Sequence, residues 1–303
     1  MDKTALIVGY GSIGKRHAHI LKRVIKIKKI FILTKQNCKQ FNVITNLEQT
    51  KLLNPDYIVI CSNTADHLKH LLFFEKNFYG KIILVEKPLF SKFIDVKIKN
   101  NKVFVGYNLR YSPVIQKLRS IIKNQKIYSL NIQCSSHLPY WRPNRDYKQV
   151  YSAEKKLGGG VLLDMSHELD YIQWIFGKID KIFYKKIVKI SNLKINVEDS
   201  AVILGKIKKI NLLVNINFFS KINKREIIID GNSINVKADL VKSTLEIYSL
   251  KENKSKIINY SRNINLSYAN LHRDLLSHKY STCCSFEEGK NINYLIDRIK
   301  KNI

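Results

Sequence analysis

The sequence lacks long apolar runs, paired cysteines and a normal share of acidic side chains, and these absences narrow the classes of protein it can encode. No run of about 18 apolar residues occurs, so no transmembrane helix is expected. The five cysteines are odd in number and have no CxxC spacing, and the adjacent Cys283 and Cys284 cannot form an unstrained bridge. The first residues already follow a folded pattern, so we expect no signal peptide and a cytoplasmic location.

The scarcity of carboxylates leaves a large positive charge. Lys and Arg number 53 against 24 Asp and Glu, a formal net charge of +29. Such a charge can attract polyanions, so a nucleic-acid-binding protein is one alternative. The lysines are scattered, however, and form no stripe with interleaved aromatics, so nucleic acid is not the expected partner. We expect the field to help collect anionic substrates or cofactors.

The order of apolar patterns predicts an α/β protein of two domains. Residues 1–118 alternate buried strands with amphipathic helices, which is typical of a Rossmann domain with a doubly wound parallel sheet. Residues 119–303 contain alternating strands with short turns, including a hairpin signal, DGNS, at 230–233. They predict a C-terminal α/β domain with a largely antiparallel open sheet, which we expect to bind substrate and to form oligomers.

A glycine-rich turn follows the first predicted strand. Gly9, Gly11 and Gly14 form GxGxxG between a short apolar run and an amphipathic helix, the context in which this motif indicates a dinucleotide site. Gly9 permits the tight turn, Gly11 the approach of a pyrophosphate, and Gly14 close contact between helix and strand. The phosphates are expected at the helix N-terminus, with the backbone of Tyr10, Ser12 and Ile13 completing the loop.

The next strand ends without the carboxylate that usually holds the ribose of NAD. Thr34 and Lys35 occupy this position, and a hydroxyl and an ammonium suit a 2′-phosphate better. The sequence therefore favours NADP over NAD.

Further polar residues follow two later strands, at the edge where ligands of such sheets bind. Ser62, Asn63 and His67 follow one strand, and Glu86 and Lys87 end another, just before Pro88. We interpret all five as cofactor-binding candidates. Lys87 is also a catalytic candidate, although a solvated lysine is the plainer alternative in a chain so rich in lysine.

In the second half, GGGVLLDMSHELDYIQWIFG (residues 158–177) predicts a helix carrying an imidazole among carboxylates. His167 has Asp164 three residues before it and Asp170 three after it, and it lies off the apolar stripe that predicts the core face. Such neighbours would orient the ring and raise its basicity, as a general base requires. A surface or structural histidine is the alternative. No second His or Cys stands at ligand spacing, so no metal site is expected.

An insertion rich in aromatics and arginines precedes this helix and is expected to face the substrate. The candidates for gripping an anionic or glycosyl group are Arg110, Trp141, Arg142, Arg145 and Tyr147. Core packing of the tryptophan and solvation of the arginines are the alternative.

Together, the glycine motif, EKP at 86–88, VGYNLRYSP at 105–113 and residues 158–177 resemble the Gfo/Idh/MocA family of oxidoreductases. The resemblance implies a Rossmann domain, a C-terminal α/β domain whose open sheet is often used for oligomerisation, and NAD or NADP as cofactor. It also implies that a dimer or tetramer oxidises or reduces a sugar-like substrate. Nucleotide-linked and acidic sugars are the candidate substrate classes. A non-catalytic cofactor-binding sensor or scaffold is the alternative.

The resemblance also implies roles for particular residues. Lys87 is expected to contact the reacting oxygen and the nicotinamide, and His167, followed by Asp170, to act as the acid/base. Many members space the helix Asp and His four apart, whereas Asp164 and His167 are three apart, and Ser166 stands where many have glycine. The triple glycine at 158–160 is expected to let substrate approach the helix end.

Overall fold

The structure is a computed structural model that describes residues 3–301 and divides the chain into two compact units. The first unit extends to Tyr111 and resumes with Ile264–Asp297, and the second comprises Ser112–Asn263 and the residues from Arg298 onward. In chain order the strands are β1 (Thr4–Val8), β2 (Lys29–Leu33), β3 (Asn42–Ile44), β4 (Tyr57–Ile60), β5 (Ile82–Val85), β6 (Lys102–Val105), β7 (Ile127–His137), β8 (Lys181–Val188), β9 (Ser200–Ile207), β10 (Ile210–Asn217), β11 (Phe219–Gly231), β12 (Ile234–Asp239), β13 (Thr244–Ser249), β14 (Lys254–Asn259) and β15 (Cys284–Ser285). The helices are α1 (Ser12–Arg23), α2 (Gln49–Leu53), α3 (His67–Asn77), α4 (Pro113–Ile122), α5 (Val161–Asp164), α6 (Ser166–Phe176), α7 (Ile264–Leu276) and α8 (Phe286–Lys300).

The first unit is built on a seven-stranded sheet in the order β15-β6-β5-β4-β1-β2-β3. Its strands are parallel except β15, which pairs antiparallel with β6. Every residue of β4 and β5 is buried, as expected for strands covered on both faces. The chain order reverses between β1 and β4, so the crevice at their carboxyl ends is the switch point of a doubly wound fold. The predicted Rossmann sheet is confirmed.

The predicted division at residues 118 and 119 is wrong, because the closing helices belong to the first unit. Tyr268, Leu271 and Leu275 of α7 lie in the same apolar core as β1 and β4. Helix α7 contacts α1. The segment that follows α7 contains β15, which pairs with β6 and so extends the first sheet. The boundary after Tyr111 also precedes the predicted one, because α4 packs on β12 and β13 of the second unit.

The second unit is built on an eight-stranded sheet in the order β14-β13-β12-β11-β7-β10-β9-β8. Adjacent strands are antiparallel except β7 and β10, which are parallel. The hairpin predicted at 230–233 joins β11 to β12, with Asp230 opposite Asn235. The largely antiparallel sheet of the prediction is therefore confirmed. Across residues 3–301, no helix combines the length and apolar character needed to cross a membrane.

Helix α7 supplies a direct test of the revised boundary. Leu275 is fully buried, whereas Leu266 on the same helix is 40% exposed. Leu275→Ala should lower the free energy of unfolding by about 2–5 kcal/mol, since it leaves a cavity in the core. Leu266→Ala should change it by less than about 0.5 kcal/mol. Urea denaturation of both variants checks this, and equal effects would contradict the placement of α7 in the core.

Candidate functional site

In the glycine loop between β1 and α1, a side chain would meet protein atoms at two of the glycines and open space at the third. A Cβ on Gly14 would lie 2.2 Å from the Gly9 carbonyl oxygen, so the helix can start this close to the strand only with glycine there. Gly9 has φ +96° and approaches the backbone of Cys61, which follows β4. At Gly11, by contrast, an added Cβ would meet no atom within 4 Å. The backbone there is open to a ligand.

The N-terminus of α1 suits an anion. The cap residue, Gly11, supplies no side-chain hydrogen bond, and the first turn contains no acidic residue. The N–H groups and the positive end of the helix dipole therefore meet no competing carboxylate. Ser12 is exposed and Ile13 half-buried. The Tyr10 ring packs edge-on against Phe41, so its predicted contribution is limited to its backbone.

The structure brings most of the predicted cofactor residues to one edge of the first sheet. Thr34 and Lys35 follow β2, Ser62 and Asn63 follow β4, and Glu86 and Lys87 follow β5. Parallel strands carry their carboxyl ends on the same side, so these residues border the crevice that contains the glycine loop. Lys35 and Asn63 are exposed, while Ser62 is half-buried and its hydroxyl is hydrogen-bonded to His70 at 2.9 Å.

Contrary to the prediction, His67 does not reach this crevice. It is 1% exposed, its Nδ1 lies 3.1 Å from the carbonyl oxygens of both Pro88 and Leu89, and its Nε2 lies 3.1 Å from that of Ser62. The ring thus joins two loops of the sheet edge. Burial lowers the pKa of His67, and the surrounding carbonyl oxygens oppose that shift. Its role is to hold the backbone around Lys87 rather than to touch a cofactor.

Lys87 occupies a segment fixed on both sides. From Ile82 to Phe90 every residue is buried except Lys87, which is half-buried, and its peptide bond to Pro88 is cis. Downstream, Asn293 accepts a hydrogen bond from the Phe90 N–H at 3.2 Å and donates one to the Phe90 carbonyl at 2.6 Å. A lysine held in this way is unlike a solvated surface lysine.

Glu86 is buried and is paired with a histidine that the sequence analysis missed. The carboxylate Oε1 accepts a hydrogen bond from His17 Nε2 at 2.9 Å, and Oε2 accepts one from the Lys87 N–H at 3.2 Å. His17 is fully buried on α1, and its Nδ1 lies 2.8 Å from His272 Nε2 on α7. His272 Nδ1 in turn lies 2.8 Å from the Tyr57 hydroxyl. The signal in the sequence was a histidine three residues after Gly14, on the inner face of α1.

The predicted substrate role of Arg110 is wrong. This residue is 2% exposed, and its guanidinium donates to Glu288 at 3.1 Å and to the Cys283 carbonyl at 3.3 Å. It therefore ties the turn after β6 to α8 and the segment before it. A side chain so covered is not available to a substrate.

In the second unit, the predicted single helix around His167 is two helices. Met165 has φ −92° and ψ +30°, which separates α5 from α6, so Asp164 and His167 lie on different helices. Asp164 ends α5, and its Oδ1 accepts a short hydrogen bond from the Tyr151 hydroxyl. Burial, followed by the nearby Asp164 charge, raises the pKa of Tyr151 well above its ordinary value.

The face that carries His167 is buried rather than solvated. His167 is 7% exposed, Asp164 5% and Asp170 1%. Tyr171, four residues after His167 on α6, is fully buried as well. The reading of His167 as a surface histidine in a charged helix is excluded, and an imidazole and two carboxylates remain within one short buried segment. No group of three or more His, Cys, Asp or Glu in residues 3–301 is placed to bind a metal ion.

The triple glycine makes room for the chain itself. A Cβ on Gly159 would lie 2.3 Å from the Tyr151 carbonyl oxygen, and one on Gly160 would lie 2.5 Å from Glu198 Oε1. Gly160 also has φ +118°, which favours glycine. Protein atoms therefore fill the space beside Gly159 and Gly160 where a side chain would project, and the approach of a substrate to this loop stays a prediction.

One buried ion pair next to His167 was also missed. Glu168 is fully buried, and its Oε1 accepts a hydrogen bond from Arg225 Nε of β11 at 2.8 Å. This pair ties the first turn of α6 to the second sheet. No local pattern indicates this pair, because the partners are 57 residues apart.

The predicted substrate insertion forms four short 3-10 helices between residues 138 and 157. Trp141 donates from Nε1 to the Ser136 hydroxyl at 2.7 Å and packs edge-on against Phe218, so it is part of the packing. Arg142 lies over the Tyr151 ring at 5.7 Å, and the Tyr147 hydroxyl accepts from the Lys194 N–H at 3.2 Å. Arg145 is exposed. Arg142 and Arg145 are the members of the predicted set whose side chains suit a ligand best.

Comparison with known proteins agrees with the predicted family. Residues 115–236 match the family described as the GFO/IDH/MocA C-terminal domain. An uncharacterized oxidoreductase, YrbE from Bacillus subtilis (strain 168), is 28% identical over 198 residues. That match covers 59% of this chain and 55% of the relative, so it spans little more than half of the relative's length.

Solved structures extend the likeness of fold to nearly the whole chain. Levoglucosan dehydrogenase, solved with NADH, has a TM-score of 0.80 at 15% identity and covers 99% of this chain and 96% of its own. The WlbA dehydrogenase of Bordetella pertussis, solved with NADH and UDP-GlcNAcA, has a TM-score of 0.76 at 15% identity, covering 99% and 96%. The resemblance to the Gfo/Idh/MocA family predicted from the sequence is thus confirmed.

The buried histidines of the first unit predict a loss of stability in mild acid. Burial lowers the pKa of His272, with a further contribution from His17, and burial lowers that of His67. In the unfolded chain the pKa of each histidine is about 6.5, so below that pH the unfolded state binds more protons than the folded state. The free energy of unfolding should therefore fall as pH drops from 7.5 to 5, by up to about 1.4 kcal/mol per pH unit for each such histidine.

Urea denaturation across this range measures the slope. His272→Gln should flatten it, whereas His278→Asn should not, because His278 is exposed and asparagine tolerates its φ of +60°. An unchanged slope in His272→Gln would contradict the assignment of the acid sensitivity to this residue.

Proposed function

We propose that this chain, a protein of the Gfo/Idh/MocA family, is an oxidoreductase that transfers a hydride between a nicotinamide cofactor and a sugar or sugar-derived substrate. The observation that carries the proposal is the meeting, at one edge of the parallel sheet, of an open glycine loop and a lysine fixed on both sides. The open glycine loop suits a dinucleotide, and the fixed lysine suits a catalytic role beside that dinucleotide.

The residues of the first unit fit a nicotinamide dinucleotide. The open backbone at Gly11 and the uncapped start of α1 would bind its pyrophosphate, and the polar residues after β4 would border its nicotinamide half. When bound, the cofactor supplies the acceptor or donor of the hydride. Thr34 and the exposed Lys35 end β2 where a carboxylate would select NAD, which supports NADP as the preferred cofactor.

Lys87 is the proposed electrophile. Its ammonium would stabilise negative charge developing on the substrate oxygen, as a cation held in place does in many active sites. The fixed backbone on either side supports this role, because a positioned charge needs no rearrangement during the reaction.

His167 is the proposed general acid/base. In the direction of oxidation it would take the hydroxyl proton of the substrate, and in reduction it would return it. The burial of His167, Asp164 and Asp170 within one short segment supports the assignment, because the imidazole and both carboxylates are held in place there. The Tyr151 hydroxyl holds Asp164, so Asp164 is proposed to shape the site rather than to transfer a proton.

The proposed substrate is a sugar that carries an anionic or nucleotide-linked group. Arg142 and Arg145 support this, because guanidinium groups bind carboxylate and phosphate in bidentate geometry. WlbA was solved with a nucleotide-linked sugar, and levoglucosan dehydrogenase is named for an uncharged one. A substrate panel should therefore include both classes as probes. Assembly as a dimer or tetramer and a cytoplasmic location stay predictions.

The glycine loop provides a matched pair of variants. Gly14→Ala should lower the free energy of unfolding by about 1–3 kcal/mol, because its Cβ would lie 2.2 Å from the Gly9 oxygen. Gly11→Ala should leave stability within about 0.5 kcal/mol, since no atom lies within 4 Å of its Cβ. It should nevertheless weaken NADPH binding at least about tenfold, because the methyl group occupies the space proposed for the pyrophosphate.

Denaturation and calorimetric titration with NADPH check the two variants. NADPH binding by Gly11→Ala with the affinity of the wild-type protein would place the cofactor elsewhere.

The catalytic roles predict large losses of turnover without loss of cofactor. Lys87→Ala and His167→Asn should each lower kcat by about 10²–10⁴-fold while NADPH binding stays within about threefold. The matched controls are Lys92→Ala, at an exposed lysine near Lys87, and His278→Asn. Turnover is measured by the absorbance of NADPH against the substrate panel. Rates near that of the wild-type protein in either catalytic variant would remove that residue from the mechanism.

A further inference from the structure

A continuous chain of four buried side chains crosses one face of the parallel sheet in the first unit. It connects Tyr57, His272, His17 and Glu86 through hydrogen bonds of 2.8, 2.8 and 2.9 Å. Three of these side chains are fully buried, and Glu86 is 5% exposed. The groups come from β4, α7, α1 and the end of β5, so the chain connects separate parts of the unit.

The order of donors along this chain is fixed by its acidic end. An ionised Glu86 can only accept, so His17 must donate from Nε2. A neutral imidazole has one donor and one acceptor, so His17 then accepts at Nδ1 from His272 Nε2. His272 accepts at Nδ1 from the Tyr57 hydroxyl by the same rule. With both rings neutral, this is the one order that satisfies every group.

The acidic end of the chain is adjacent to the proposed electrophile. Glu86 Oε2 accepts from the Lys87 N–H, and a Cβ on Gly106 would lie 2.6 Å from Glu86 Oε1, so the carboxylate is confined on that side as well. Glu86 thus makes one of the hydrogen bonds that hold the Lys87 backbone. The other oxygen of its carboxylate is held by His17.

We propose that Tyr57, His272 and His17 are positioning residues for Lys87. The chain holds Glu86 in one rotamer, and Glu86 in turn holds the Lys87 backbone from which the side chain extends toward the reacting oxygen. The inference rests on the proposed function for its catalytic meaning. It makes α7, which is more than 150 residues beyond Lys87 in sequence, a part of the machinery that presents the lysine.

The test compares two substitutions that each remove one hydroxyl from the first unit. Tyr57→Phe removes the terminal donor of the chain. Tyr268→Phe is the matched control, because Tyr268 is 7% exposed and its ring centroid lies 5.3 Å from that of His17 in an edge-to-face arrangement, while its hydroxyl is not a member of the chain. Both substitutions keep the aromatic ring, so we expect both variants to fold.

The first measurement is the tautomer of each histidine, from the imidazole ¹⁵N shifts of protein labelled at histidine, with His17→Gln and His272→Gln used for assignment. The wild-type protein and Tyr268→Phe should show neutral rings with the proton on Nε2 for both His17 and His272. Tyr57→Phe should leave the proton of His272 on Nε2, which still faces the His17 Nδ1 acceptor, and should shift the ¹⁵N resonance of His272 Nδ1, which has lost its donor. A wild-type His17 that carries its proton on Nδ1, or on both nitrogens, would overturn the proposed order.

The second measurement is independent of turnover. The rate of reductive methylation of Lys87 by formaldehyde, resolved by peptide mass spectrometry, reports how this side chain is held. Tyr57→Phe should change that rate at least about threefold relative to the wild-type protein, and Tyr268→Phe should not. Equal rates in the two variants would overturn the positioning role.

The third measurement separates this inference from the proposed function. In Tyr57→Phe, kcat should fall about three- to tenfold while NADPH affinity and KM stay within about twofold. An unchanged kcat in Tyr57→Phe would overturn the inference and leave the proposed function standing. Absence of binding of both NADPH and NADH to the wild-type protein would overturn the proposed function and the catalytic part of the inference, even with the predicted tautomers in place.

Discussion

The first unit depends on the burial of one carboxylate. A carboxylate taken out of water is strongly destabilising unless donors replace the water, and Glu86 receives them from His17 and from the backbone of Lys87. For His17 to reach Glu86, α1 must lie close against β1, which the contact between Gly14 and the Gly9 carbonyl permits. The same glycine loop leaves Gly11 open. The geometry that binds a pyrophosphate and the geometry that fixes Lys87 thus have a common origin.

In the second unit, different groups hold the segment that carries His167. The start of α6 is held by Glu168 and Arg225, and the residues before α5 are held by the contacts of Gly159 and Gly160 with the chain itself. The two glycine-rich loops therefore have opposite roles. The loop in the first unit leaves space at Gly11 for a ligand, whereas the loop at 158–160 is filled by protein and fixes the position of the segment that carries His167.

Features that depend on neighbours in the sequence could be predicted. The glycine loop, the alternation of strands and helices, and the hairpin at 230–233 each follow from residues within about one element, where local geometry decides the outcome. The polar ends of β2, β4 and β5 could also be placed, because parallel strands put their carboxyl ends at one edge.

Features that depend on distant partners could not be predicted. His17 meets a residue 69 positions away and another 255 positions away, and Arg110 meets one 178 positions away, so a single sequence gave no sign of either pairing. The same reason explains the misplaced domain boundary, because α7 completes a core formed by the first hundred residues. The break at Met165 was hidden for another reason: the helical pattern continues through it.

The most direct test of the account is a thermal-shift comparison of the purified protein with NADPH, with NADH and without either, at matched ionic strength. A ligand that binds only the folded state adds about 2.7 kcal/mol of stability at 100 times its dissociation constant. We expect a rise with both cofactors and a larger rise with NADPH, since Thr34 and Lys35 follow β2 without a carboxylate. A larger rise with NADH would contradict the NADP preference alone. No rise with either cofactor would contradict the central claim that the open loop at Gly11 is a dinucleotide site.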